Sequence, residues 1–359
     1  MPATPYVLLF EVGRGKIVES IHYGAIAVVD IDGKLVAWMG DPQAVTFLRS
    51  SAKPFQALPL LEQGGQTAYD LTPREIALAC ASHSGTDEHV AVVRSMQMKA
   101  GISEADLLCG VHFPHHEATV EAMRERKETP TPNQNNCSGK HTAMLAFARL
   151  HNQNGSGSAD TLPYIDIRHP IQQTILQTFA AMCNLAVEQV EIGIDGCSAP
   201  NFAVPMYNAA WAYARLCDPQ GGHVSGRERA DACRAITSAM MFNPDMVGGP
   251  GRFDTRLMEV AQGKLLSKGG AEGYQAIGVM PGALYPDSPA LGITIKISDG
   301  DRESRARPAV TLEVLRQLGA LSQNELNMLA EIGPVNPVEN LRKLVVGERR
   351  PVFRLQRSQ

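Results

Sequence analysis

A chain of 359 residues, 44% hydrophobic and 19% charged, has the composition of a globular protein and enough length to bury a large core. Its formal net charge of -4 excludes a general attraction to nucleic acid or to an anionic membrane, so neither is expected as a partner. No apolar run approaches the roughly 18 residues of a membrane span, and seven scattered cysteines do not have the spacing of a disulfide framework, which makes a reducing cytoplasm the expected setting.

The opening MPATPYVLLFEVGR lacks a basic leader and reads as a strand over about residues 6–12 rather than as a signal peptide. Residues 24–40, GAIAVVDIDGKLVAWMG, hold two β-branched apolar runs around Asp32-Gly33, which predicts a hairpin. The period then changes. Residues 71–80, 88–101, 117–126, 139–152, 168–183, 202–216 and 226–241 read as helices separated by Gly, Pro and Asn clusters. RERKE at 124–128 reads as a solvated helix end and NQNGSGSAD at 152–160 as a surface loop. Strand patterns return at 273–282 and 290–300, a helix follows over about 305–318, and the tail after Pro334 reads as a surface strap. The sequons at Asn136 and Asn154 carry no weight in a cytoplasmic protein.

A sheet built from both termini around a helical middle predicts an α/β chain of the α+β sandwich type with an antiparallel sheet. It forms one interleaved domain over 1–359, the sheet part at about 1–50 and 260–359 and the helical part at about 51–259.

Three short stretches put small polar residues at the ends of apolar segments, where side chains can meet in a cleft. In FLRSSAKPFQ, Ser50 stands three residues before Lys53, a spacing that shares a helix face, whereas Ser51 stands two before it. A lysine removed from water can take a serine proton without histidine; alternatively, Ser50 or Ser51 only caps the following helix. In ACASHSGTDEH, Ser82, His83 and Ser84 follow an apolar helix, and in LLSKGGAEG, Lys268 precedes two glycines and a strand; each by itself also reads as a helix end or a turn. Their chain order, S-x-x-K, then a hydroxyl turn, then Lys-Gly-Gly, follows that of serine-lysine acyl-transfer enzymes, with Ser84 where that class has asparagine and Gly269 where it has threonine.

A second constellation lies in NQNNCSGKHTAMLAF and IGIDGCSAP. Cys137 and Lys140 are three apart at a helix start, and Asp195 and Cys197 follow an apolar run. Two sulfurs and a nitrogen can hold zinc with water as fourth ligand; two buried cysteines can equally serve as small hydrophobes. HFPHHE at 112–117 reads as a loop and GGPGRFDT at 248–255 as a tight turn bordering a pocket.

RSSAKPFQ, ASHSG, NCSGKHTAML, GIDGCSAP and SKGGAEG, in this order, resemble the Rhizobium etli-type (class 3) L-asparaginases of the asparaginase II family over about residues 8–300. The resemblance implies a serine β-lactamase/glutaminase-like fold, a homodimer, and hydrolysis of L-asparagine to L-aspartate and ammonia through an acyl-enzyme. It implies Ser50 as nucleophile, Lys53 as its base, Ser82 and Lys268 as a second serine-lysine pair, and Cys137, Lys140 and Cys197 as zinc ligands beside Asp195. Arg49 and His83, next to these residues in the chain, are candidates for substrate binding together with Asp195. Glutaminase, β-lactamase-like or peptidase-like acyl transfer, and zinc-dependent amino-acid binding without catalysis are the competing readings.

Overall fold

The computed structural model describes residues 4–153 and 162–358, so Asn154 with its sequon and most of the 152–160 stretch lie outside the described residues. The chain divides into two compact units that alternate in sequence. One comprises Met1–Ser51, Val204–Gly222 and Arg256–Gln359, the other Ala52–Ala203 and His223–Thr255. Among the described residues the strands are, in chain order, β1 (Val7–Arg14), β2 (Ile17–Asp30), β3 (Leu35–Met39), β4 (Val45–Phe47), β5 (Glu191–Ile194), β6 (Pro200–Pro205), β7 (Leu265–Gly269), β8 (Tyr274–Val279), β9 (Leu291–Ile297), β10 (Asn336–Glu339), β11 (Val345–Pro351) and β12 (Gln356–Arg357).

The first unit is built on one antiparallel sheet in the order β10-β11-β1-β2-β9-β8-β7, with β3 joined to β2 and β12 to β3. The predicted hairpin closes β2 onto β3: Asp30 Oδ1 accepts the Asp32 N–H at 3.1 Å and the Lys34 N–H at 2.8 Å. Alternation along β2 puts Ala25, Ala27 and Val29 on one face, packed against Met206 and Ala210 of the helix Met206–Cys217. That helix crosses β2, β8 and β9, while the helix Arg307–Leu318 packs on β8, β9 and β11. Every residue of β8 is buried, as expected for a strand covered on both faces. Each fully buried Ile or Val of this layer, such as Ile277, Ile293 and Ile295, contributes about 1.5–3 kcal/mol of transfer free energy.

Two expectations are corrected here. The helix expected over 202–216 begins as strand β6, and helical geometry starts only at Met206, after Pro205. Val204–Gly222 accordingly belongs with the sheet-bearing unit and not with the helical middle. The tail is not a strap: β11 pairs with β1 from Phe10↔Pro351 to Arg14↔Gly347, and β10 pairs with β11. Its polar GERRP segment conceals the strand because several of its side chains remain in contact with water.

The second unit is helical. Its centre is the helix Lys53–Glu62, buried from Lys53 through Leu61, against which Ser138–Gln153, Pro170–Met182 and Arg227–Phe242 pack. Phe55 meets Phe179 edge-on at 5.8 Å, and Arg229 reaches Glu62 at 2.8 Å. Thr72 and Thr86 cap the helices Pro73–Ala79 and Asp87–Ala100, each with a reciprocal bond from the third residue on. The central helix starts later than its serines suggested. Arg49–Ala52 is a 3-10 turn, Ala52 is the N-cap without a side-chain bond, and Pro54 sits in the first turn, where its missing N–H costs nothing. Neither Ser50 nor Ser51 caps it.

Candidate active site

Lys53 is only 1% exposed, and a lysine so buried requires acceptors. Within the helical unit its Nζ donates to the Ala81 carbonyl at 2.5 Å and lies 3.1 Å from Ser82 Oγ, 3.2 Å from Cys137 Sγ and 3.4 Å from the Asn136 carbonyl. The two carbonyls come from segments next to helix ends, Ala81 just after Pro73–Ala79 and Asn136 just before Ser138–Gln153. Ser82 is held by its own N–H, which donates to the Val247 carbonyl at 3.0 Å. Ser84 Oγ donates to the Gly248 carbonyl at 2.8 Å, so the 82–84 segment is tied twice to the turn that follows Val247.

The amides of NQNNCSGKH make the next layer. Asn135 Nδ2 donates to the Cys109 carbonyl at 2.9 Å, while its Oδ1 accepts the Cys137 N–H at 2.8 Å. His112 Nε2 accepts the Asn136 N–H at 3.0 Å, and that bond orients the carbonyl shared with Lys53. Ser138 Oγ donates to the Asn133 carbonyl at 3.0 Å and accepts from His83 Nε2 at 2.9 Å. The other ring nitrogen of His83 accepts the Gly85 N–H at 3.1 Å. His83 is fully buried, and burial, followed by the neighbouring His89, holds its pKa well below the usual histidine value. Both of its nitrogens are therefore engaged by protein, which places it as a support behind Ser138.

Lys140, on the first turn of Ser138–Gln153, brings its Nζ 3.0 Å from Cys197 Sγ. Cys197 lies in the tight turn after β5, where the Asp195 N–H donates to the Ala199 carbonyl at 2.9 Å and the Ser198 N–H returns to the Asp195 carbonyl at 2.9 Å. Ser198 has φ 69°, a left-handed conformation that shapes this turn. A hydrogen bond from Cys197 is the largest cause holding the Cys137 thiol well below its usual pKa, against burial and with help from Lys53 and Lys140. The same bond, then burial, raises Cys197. Burial opposes the Lys140 ammonium but is outweighed by Cys197 and Cys137, which raise its pKa.

Two sulfurs and an amine are the donor types of a tetrahedral zinc set with one open position; Lys140 Nζ stands 3.0 Å from Cys197 Sγ, and Cys197 is hydrogen-bonded to Cys137. The neighbouring His141 Nδ1 bonds Tyr164 Oη at 2.7 Å, and no hydrogen-bond partner satisfies its buried Nε2 among the described residues. Among the described residues no three His, Cys, Asp or Glu side chains gather at metal-binding distance, so a metal here depends on the lysine as third ligand.

In the sheet-bearing unit, Ser51 and Ser50 separate clearly. Ser51 is fully buried, its Oγ donates to the Lys268 carbonyl at 2.6 Å, and its own carbonyl accepts from Tyr213 Oη at 2.7 Å. Ser50 is half-buried and follows Arg49, whose φ of 52° marks a sharp reversal. Lys268 is fully buried on β7, with its Nζ donating to the Gly269 carbonyl at 2.8 Å. The following Gly270 permits the Leu48–Ser51 turn to approach: a Cβ there would stand 2.4 Å from the Leu48 carbonyl oxygen.

Reasoning from sequence did not assign roles to Asn136, His112 and Asn135, which act on or through backbone groups from within NQNNCSGKHTAMLAF and HFPHHE. The available signal was the row of amides before the helix, since Asn133, Gln134 and Asn135 are all buried and buried amides are retained for the bonds they make.

A family model described as L-asparaginase II matches residues 10–351. No curated protein sequence gives a significant match. Among solved structures, the chain is similar to the covalent complex of the Bacillus subtilis glutaminase YbgJ with 5-oxo-L-norleucine, at 14% identity and TM-score 0.38, covering 84% of this chain and 89% of that one. A probable glutaminase from Bacillus subtilis complexed with 6-diazo-5-oxo-L-norleucine gives 14% identity and TM-score 0.36, over 82% of this chain and 83% of that one. Glutamine chemistry is a property of those proteins.

Proposed function

Since the chain belongs to the L-asparaginase II family and is an amidase-type hydrolase, we propose that it hydrolyses L-asparagine to L-aspartate and ammonia through a serine-lysine acyl-enzyme. The observation that carries this reading is the buried Lys53 amine, hydrogen-bonded to Ser82 Oγ and two carbonyls.

Ser50, three residues before Lys53, attacks the side-chain amide carbon as Lys53 takes its proton. The tetrahedral oxyanion is stabilised by backbone N–H groups, that of Ser50 among them, by several kcal/mol. Ser82 passes the proton to the departing nitrogen, with Lys268 as the second amine of the relay, and ammonia leaves an aspartyl ester on Ser50. Water, deprotonated by the same groups, hydrolyses the ester and restores Ser50. Ser51 is unsuited to attack because its hydroxyl is already committed to the Lys268 carbonyl.

Cys137, Lys140 and Cys197 are proposed to hold zinc, which would supply a fixed positive charge at the substrate-binding side. Asp195, in the same turn as Cys197, supplies the negative charge that an α-ammonium group needs. A homodimer in the cytoplasm is the proposed working form; all seven cysteines are buried. No helix among the described residues is long and apolar enough to cross a membrane.

Ammonia release from L-asparagine and L-glutamine, measured in parallel, tests the reading. Turnover of asparagine that disappears in Ser50→Ala supports it; a preference for glutamine overturns the substrate, and full activity in Ser50→Ala overturns the nucleophile.

A further inference from the structure

Two motifs without a task in the chemistry above, HFPHHE and GGPGRFDT, meet at the Ser82–Ser84 segment of the helical unit. The turn carrying Arg252 is bonded to that segment through Ser82 N–H to Val247 O at 3.0 Å and Ser84 Oγ to Gly248 O at 2.8 Å. It is also pressed against it: a Cβ on Gly249, whose φ is +110°, would stand 2.5 Å from Ser84 Oγ. From the other motif, the His115 ring lies 4.9 Å from that of His112 at 36°, and His112 holds the Asn136 peptide whose carbonyl receives Lys53. One ring and one peptide therefore separate His115 from the Lys53 amine.

Both groups at this rim are exposed, and neither side chain has a hydrogen-bond or ion-pair partner among the described residues. Partial burial of its ring, then the charges of His112, Arg252 and Lys53, lower the His115 pKa to about 4. At neutral pH its ring is an uncharged N–H donor beside a guanidinium, a combination that suits a carboxylate.

We propose that Arg252 and His115 form the subsite that binds the α-carboxylate of the amino-acid substrate. The inference rests on the amidohydrolase reading and assigns the carboxylate to this rim instead of to His83, whose ring nitrogens are both occupied. In asparagine that carboxylate is three bonds from the amide carbon, so the subsite fixes which end of the molecule enters and disfavours amides that lack the carboxylate. Stereochemical choice follows from the same two contacts together with Asp195.

The test compares L-asparagine with 3-aminopropanamide, which is asparagine without its carboxylate, in wild type, Arg252→Gln, Arg252→Lys and His115→Gln. The wild-type preference for asparagine in kcat/KM should fall at least about tenfold in Arg252→Gln, through KM and not kcat, with partial recovery in Arg252→Lys and a smaller loss in His115→Gln. An unchanged preference, or an equal loss with both amides, overturns the subsite. If wild type turns over neither amide, the amidohydrolase reading falls by itself, and calorimetric titration with L-aspartate decides the subsite separately. Binding to wild type that is at least about tenfold weaker in Arg252→Gln supports it; equal binding, or none to wild type, overturns it.

Discussion

Adjacent serines with the same chemistry sit in different surroundings. Ser51 is fully buried and bonded to the Lys268 carbonyl, whereas Ser50 retains contact with solvent. Ser50→Ala is expected to lower kcat for ammonia release by about a thousandfold or more with no change in melting temperature. Ser51→Ala removes one buried hydrogen bond, and should cost about 0.5–1.5 kcal/mol in urea denaturation with ammonia release retained. Histidines give a second residue-level prediction. Burial lowers the pKa of both His83 and His89, and for His89 the bond to the Asp245 carbonyl opposes it. The unfolded chain then binds protons that the folded chain refuses as pH falls below about 6.5, so stability is full above that value and declines toward the depressed folded pKa. Denaturation midpoints at pH 5 and pH 7.5 should differ in that sense, and His89→Gln should flatten the slope.

Elements position these residues by their ends. Lys53 opens a helix, Ser82 follows one, Cys137 precedes one, Lys268 sits near the end of β7, and Cys197 lies between β5 and β6. Close backbone approach is the common requirement. Gly270→Ala would put a methyl 2.4 Å from the Leu48 oxygen, and backbone cannot yield as a flexible side chain can. A fall in melting temperature together with at least about tenfold lower activity is expected; normal activity in a folded Gly270→Ala would show that the turn next to Ser50 can shift harmlessly. The elements bearing Cys137, Lys140 and Cys197 can be tested by metal analysis of purified protein. About one zinc per chain is expected in wild type and almost none in Cys137→Ser. Chelation should weaken substrate binding; unchanged KM after complete removal would leave the metal a structural role at most.

For the whole molecule, the sheet depends on both termini. β1 stands between β2 and β11, so the last strands protect what would otherwise be an exposed edge. Removing residues 335–359 deletes β10, β11 and β12 and uncovers β1 and β3. The truncated chain is expected to aggregate on size-exclusion chromatography. A monodisperse product with native melting behaviour would mean that the tail strands are dispensable.

By itself the sequence determined the local chemistry: apolar periodicity marked most helices, Asp32-Gly33 marked a hairpin, and five ordered motifs marked the residues worth examining. These signals are legible because each arises from residues a few positions apart. It did not distinguish β11 from a strap, since a half-solvated strand such as VVGERRP lacks strict alternation. Nor did it separate a capping serine from a hydrogen-bonded one at Ser51, whose partner lies 217 residues away. Tertiary structure alone decided that Asn136 presents its carbonyl to Lys53, that His83 supports Ser138, and that HFPHHE and GGPGRFDT adjoin the Ser82 segment. In each case the deciding contact is a backbone carbonyl, a ring face or a close approach of chains, and none of these leaves a spacing pattern in the residues that make it.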